Sequence, residues 1–302
     1  MSDDAAHIPP EGRRVHMMRP GSQEVSTFLI DPENGAEMVR LTNQHRLMTQ
    51  YMGGIFPRDI DTAPLQHVLD LACGPGDWVQ DVAFERQDID VIGIDSSRSL
   101  ITHALAMASV QGLDNAFFQV MDIRKPLDFD DDSFDLIQAR LLTSVLSPAE
   151  WPGLLAECRR ILRPGGIMCL VETEWPETNS PAVQHFGRIV IQALRQVGRS
   201  YSPDGQQLGT LAILVPLLRD AGLTQVRDRT YEVPFTTGLI GPHPIMELLR
   251  IELYLMEPAL LRWEVVTHAE FEALIMQMEL ETFSDSFRGM LRIGETMGEK
   301  VQ

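Results

Sequence analysis

The chain is short of basic charge, of cysteine and of long apolar runs, and each shortage excludes a class of function. Lys and Arg number 25 against 43 Asp and Glu, a formal net charge of −18 at pH 7. Such a balance leaves no general basic face to neutralise phosphates, so no nucleic-acid partner is expected. Cys73, Cys158 and Cys169 are too few and too scattered for a disulfide framework or a four-thiolate zinc site. Buried free thiols and no metal are expected. No apolar run approaches the roughly 20 residues that span a bilayer. The start, Met1-Ser2-Asp3-Asp4, lacks the basic and apolar parts of a secretory signal, so a cytoplasmic location without a membrane partner is expected. Internal repeats and low-complexity tracts are also missing.

What remains is the composition of a globular protein with a sizeable core: 302 residues, 44% hydrophobic and 23% charged. Residues 1–30 carry Pro9, Pro10, Pro20, Gly12 and Gly21 without sustained periodicity and are expected to form a mobile arm. Residues 31–60 are expected to form a helical cover. There Met38, Leu41, His45, Met48 and Met52 step by three and four along one helix face, which Gly53-Gly54 would end.

From residue 61 to 302 one domain is expected. Apolar strand candidates at His67–Ala72, Ile89–Ile94, Ala116–Met121, Phe134–Ala139 and Ile167–Glu172 alternate with amphipathic helices. That rhythm predicts an α/β fold, a mostly parallel sheet with helices on both faces. Ser147-Pro148-Ala149-Glu150 predicts a capping box with proline at the first helical position, and Arg163-Pro164-Gly165-Gly166 ends the same helix. Later segments predict helices at Pro181–Val197 and Gln206–Ala221 and strands at Thr224–Val233 and Phe283–Gly294. Between those two strands, residues 236–281 form a helical insertion longer than a hairpin needs, which points to an acceptor pocket, a lid or a subunit contact.

The most informative stretch is Val68-Leu69-Asp70-Leu71-Ala72-Cys73-Gly74-Pro75-Gly76-Asp77-Trp78. A buried strand enters a glycine turn that opens a helix, the place where open parallel sheets bind ligands. About 20 residues on, Asp95 ends the second strand with an acid suited to two ribose hydroxyls. A dinucleotide site needs a third small residue where this chain has Val79. Asp70, just before the turn, would repel a pyrophosphate and attract the ammonium and sulfonium of S-adenosylmethionine.

Asp70 through Gly76, Asp95, Asp122 closing the third strand and Leu162-Arg-Pro-Gly-Gly166 before the fifth together resemble class I S-adenosylmethionine-dependent methyltransferases. Phe129-Asp-Asp-Asp-Ser-Phe134-Asp135 is similar to the acidic turn before that family's fourth strand. The resemblance implies a Rossmann-like seven-stranded sheet and S-adenosyl-L-methionine as cofactor. It places Gly74 and Gly76 at the methionine part, Asp95 at the ribose and Asp122 with the backbone of Ile123 at the adenine, with Asp70, Ala72 and Ser96 as further cofactor-binding residues. The turn departs from the family pattern at Pro75, Asp77 and Trp78. Arg140, at the end of the fourth strand, would hold the cofactor or pair with the acidic run Asp128, Asp130, Asp131, Asp132 and Asp135, itself expected on solvated surface.

No catalytic residue is fixed by this reading; His45, His185 and His243 are the candidates, with His268 beside them in the insertion. Gln44-His45-Arg46 on the covering helix is placed to reach the site. The function expected is methyl transfer to a small organic acceptor, in secondary metabolism, with homo-oligomerisation left open. Rival readings are a cyclase-like non-methylating enzyme of the same fold and a binding or regulatory protein with a vestigial site. Gln138-Ala-Arg-Leu stands where an amino-methylating DNA enzyme would resemble Asn-Pro-Pro-Tyr.

Overall fold

The computed structural model describes residues 29–31, 33–237 and 243–301. The arm expected over residues 1–30 lies outside them except at Leu29 and Ile30. The first helix, α1 (Gly35–Met52), is capped by the Asn34 side chain and ends at Gly53 in the left-handed region. It is followed by β1 (His67–Leu71), α2 (Asp77–Glu85), β2 (Asp90–Asp95), α3 (Arg98–Gln111), β3 (Ala116–Val120) and β4 (Phe134–Arg140). Next come α4 (Trp151–Ile161), β5 (Leu162–Thr173), the two-residue β6 (Glu177–Thr178), α5 (Pro181–Gln196) and α6 (Thr210–Asp220). The chain closes with β7 (Thr224–Thr236), α7 (Pro244–Arg262), α8 (His268–Thr282) and β8 (Arg288–Glu299).

Strand order is β3-β2-β1-β4-β5-β8-β6, with β7 also paired to β8. Pairs among β1 to β5 are parallel, and β8 runs antiparallel to β5, β6 and β7. Seven main strands were expected; β6 is the eighth. Both faces are covered because the buried strand residues alternate: Val68 joins one core with Val79, Val82 and Phe186, while Leu69 and Leu71 join the other with Ile137, Leu154 and Leu170. Each such side chain stabilises the fold by about 1.5–3 kcal/mol relative to exposure.

Two local expectations are corrected. The helix expected from Pro148 begins at Trp151; Glu150 still accepts from the Ser147 N–H and hydroxyl, but residues 148–150 form turns. The last strand lies at Arg288–Glu299 rather than Phe283–Gly294. It passes through Gly294 and Gly298 because α6 and its exit press on it: a Cβ at Gly294 would lie 2.6 Å from Leu211 Cδ2, and one at Gly298 3.0 Å from Leu223 Cβ. Glycine here marks close packing rather than a strand end.

Candidate functional site

A cavity of about 380 Å³ opens above the carboxyl ends of β1, β2, β4 and β5, roofed by α1 and α7. Its floor is the turn after β1. Ala72, Gly74 and Gly76 all have positive φ, of 51°, 57° and 84°. Gly76 caps α2, and a Cβ there would sit 2.6 Å from the Phe118 ring, so the turn can come close only without a side chain. Trp78, where the family pattern has small residues, is buried and donates to the Ile55 carbonyl at 2.8 Å, tying the turn to the segment after α1.

Asp95 fastens this turn from the next strand. Its carboxylate accepts the Gly74 N–H at 3.0 Å and the Ser97 N–H at 2.8 Å. Ser97 is the N-cap of α3. Burial raises the Asp95 pKa, opposed by these N–H groups. Asp70 is 4% exposed, and burial pushes it up to about 7 despite the opposing pull of Arg140. Ser96, Asp122 and Ile123 also line the cavity, and hydrogen bonds from Arg124 hold Asp122 below the usual carboxylate value.

Arg140 does not pair with the acidic run. It turns under α1, with Nη1 3.3 Å from both His45 Nδ1 and Thr49 Oγ1 and Nη2 3.4 Å from the Ile55 carbonyl. Its guanidinium lies 5.8 Å from the Trp78 ring centre, and Nε is buried without a hydrogen-bond partner. Within the acidic run, Asp128 and Asp130 are exposed, whereas Asp135 corrects the solvated reading. It accepts the N–H groups of Gln66 and His67 at 2.8 Å each and pairs with Arg163, fixing the start of β1.

Among the histidines singled out, His45 lines the cavity; its Nε2 lies 2.8 Å from Asp81. The structure does not bring His185, His243 or His268 there. His185 is exposed on α5, whose Val183, Phe186 and Val190 face the core. His243 caps α7 and stacks on Phe235, and His268 pairs with Glu257. Sequence reasoning missed Glu172, which lines the cavity with both oxygens accepting from Thr143; an acid ending an apolar strand was the signal, as at Asp70.

These residues fit a cationic ligand better than a pyrophosphate. Asp70 lines the cavity, and Val79, fully buried, stands 3.0 Å from where a Cβ on Gly93 would be. Thr42 and His45 hydrogen bond to Asp77 and Asp81 on α2, and Glu33 accepts from Ser97 at 2.6 Å, so α1 is fastened across the site. Among the described residues no helix is long and apolar enough to cross a membrane.

A family model described as a methyltransferase domain matches residues 68–166. A ubiquinone/menaquinone biosynthesis C-methyltransferase of Desulfotalea psychrophila is 31% identical over 188 residues, covering 58% of this chain and 71% of that protein. Phosphoethanolamine N-methyltransferase 3 of Arabidopsis thaliana is 31% identical over 175 residues, 57% of this chain but only 32% of the relative. The YcgJ protein of Bacillus subtilis shares the fold at a TM-score of 0.52 and 19% identity, over 86% of this chain and 99% of its own. A phosphoethanolamine N-methyltransferase 2 of Haemonchus contortus, solved with S-adenosyl-L-methionine, gives 0.51 and 17%, over 84% of this chain and 53% of its own. With its strand order, acid-bearing strand ends and these relatives, the chain belongs to the class I methyltransferases whose cofactor is S-adenosylmethionine.

Proposed function

We propose that this protein transfers a methyl group from S-adenosylmethionine to a small organic acceptor held over β4 and β5. The observation that carries the reading is that one covered cavity is lined by two kinds of residue. Asp70, Gly74, Asp95 and Asp122 contribute polar groups from the ends of β1 and β2 and beyond β3, and Trp175, Val190, Leu194, Leu249 and Met256 contribute apolar ones from beyond β5, from α5 and from α7. When bound, the cofactor supplies an electrophilic methyl group on a sulfonium, open to in-line displacement.

Each residue then has a task. Asp70 meets the cofactor's ammonium and Arg140 its carboxylate, opposite charges already set beside one another. Asp95 accepts from the ribose hydroxyls with its remaining lone pairs, and Asp122 with the Ile123 N–H reads the adenine. α1 and α7 cover the cavity and exclude water from it. Both nitrogens of His45 are engaged by Asp81 and Arg140, so His45 positions Arg140 rather than accepting a proton. Orientation of the two reactants supplies the rate in this reading. The insertion acts as the acceptor wall, since Ile245, Leu248 and Leu249 line the cavity, and an enclosed pocket suits a small metabolite rather than a polymer. Titration calorimetry with S-adenosylhomocysteine and NAD tests the cofactor half: binding of the sulfur ligand alone is expected, and NAD binding alone rejects it. Methyl-labelled S-adenosylmethionine incubated with a metabolite library, read by mass spectrometry, tests the acceptor half.

A further inference from the structure

The covering helices carry a polar arrangement that cofactor binding does not use. On α1, Glu37 and Arg40 form a two-pronged ion pair, Nε to Oε2 at 2.6 Å and Nη2 to Oε1 at 2.7 Å. Both side chains are less than a tenth exposed. The pair occupies Glu37 and leaves Arg40 Nη1, which is buried with no hydrogen-bond partner. On α7, Glu252 brings Oε2 to 3.8 Å from that same nitrogen, too far for a hydrogen bond. Among the described residues Glu252 accepts no hydrogen bond, and the open 29% of its side chain belongs to a residue that lines the cavity. Burial pushes its pKa up against the pull of Arg40.

An unused donor, closed off behind the cavity wall, and an unused acceptor on that wall therefore stand side by side. An oxygen about 2.8–3.0 Å from each, admitted by a small shift of the two side chains, would bridge them, provided that it both accepts and donates. We infer that this gap is the subsite for a hydroxyl group, and that the acceptor is an uncharged alcohol or phenol with an apolar body. The inference rests on the methyl-transfer reading above for its claim that the occupant is the acceptor. An ammonium has no lone pair to offer Arg40 and would be repelled by it. A carboxylate or phosphate would lie against Glu252, with Glu37 close behind. The chain has only two lysines, Lys125 and Lys300, and neither lines the cavity. Arg40, Arg124 and Arg140, which do line it, are already opposed by Glu37, Asp122 and Asp70. Around the gap, Leu248, Leu249 and Met256 of α7 offer an apolar bed.

The test is calorimetric titration of the full chain, with and without saturating S-adenosylhomocysteine, using naphthalene, 2-naphthol and 2-naphthoate as probes of one skeleton. We expect 2-naphthol to bind at least about tenfold more tightly than naphthalene, the scale of a hydrogen bond to a charged group, and 2-naphthoate to bind no better than naphthalene. Glu252→Leu should remove the 2-naphthol preference while S-adenosylhomocysteine affinity and Tm hold; Glu252→Gln, still an acceptor, should keep part of it. Equal binding of 2-naphthol and naphthalene, preference for 2-naphthoate, no binding of 2-naphthol, or an unchanged preference in folded Glu252→Leu overturns the subsite. Failure of S-adenosylhomocysteine to bind overturns the methyltransferase reading instead, and the cofactor-free titrations still decide the subsite.

Discussion

The imidazole of His45 stands between Arg140 and Asp81, its Nδ1 3.3 Å from the guanidinium and its Nε2 2.8 Å from the carboxylate. Because Arg140 only donates, Nδ1 must accept, and the ring proton lies on Nε2 toward Asp81. The covering helix thereby fixes the direction of a buried cation. His45→Ala should weaken S-adenosylhomocysteine binding about three- to tenfold, the cost of one lost neutral partner, with His45→Asn less affected. Calorimetric titration of the two variants measures the difference.

Asp95 has a structural duty as well as the proposed ribose contact. Asp95→Ala should cost about 1.5–3 kcal/mol in cofactor affinity. It should also lower Tm, because the Gly74 and Ser97 N–H groups lose their acceptor. Calorimetry and thermal unfolding of the same sample separate the two effects.

Gly76→Ala combines a left-handed backbone with a Cβ 2.6 Å from the Phe118 ring and 2.8 Å from Ala104 Cβ. Destabilisation of about 1–3 kcal/mol is expected from overcrowding of this kind. Urea unfolding measures it.

The pH response follows from Asp70 and Glu172, both raised by burial to about 7 from 3.8 and 4.5. An acid with a raised folded pKa favours the folded state when protonated. That stability is fully present below the unfolded value and is lost as pH rises through the folded one. The cofactor-free protein should therefore melt at a lower temperature at pH 8 than at pH 5.5, and Asp70→Asn or Glu172→Gln should flatten the slope. Cofactor binding runs the other way at Asp70, because an ammonium prefers the ionised carboxylate. Affinity should fall between pH 8 and pH 6, with proton release visible as a buffer-dependent binding enthalpy; Asp70→Asn should lose that release.

That Asp70, Gly74, Asp95 and Asp122 would gather at one cavity was legible because the signals are local: a strand, a turn of glycines and an acid within one short stretch, repeated in weaker form at Asp95 and Asp122. What the sequence hid depends on long-range order. Arg140 follows an ordinary strand, and only the adjacency of β1 and β4, with α1 laid above them, sets it opposite Asp70 rather than the neighbouring acidic run. Arg40 and Glu252 meet only because α7, inserted between β7 and β8, folds back against α1. His185, on the helix after the fifth strand, and His243, in the insertion, were candidates in the sequence, yet helix phase turned one to solvent and capping engaged the other. Gly294 looked like a stop signal because its crowding neighbour, Leu211, is remote in the chain.

The three cysteines give the molecule a built-in reporter of its own opening. Cys73, Cys158 and Cys169 are 9%, 1% and 0% exposed, and burial pushes all three thiols up, at Cys73 with added repulsion from Asp70 and Asp95. None should react quickly with a thiol-specific alkylating reagent in the folded protein, since the thiolate is the reactive form. Cys158 and Cys169 lie deep in the two cores and become accessible only through large-scale opening. Cys73 sits within the cofactor turn itself, so its alkylation rate in a variant lacking the other two thiols times the breathing of that turn, and a bound cofactor should slow the clock.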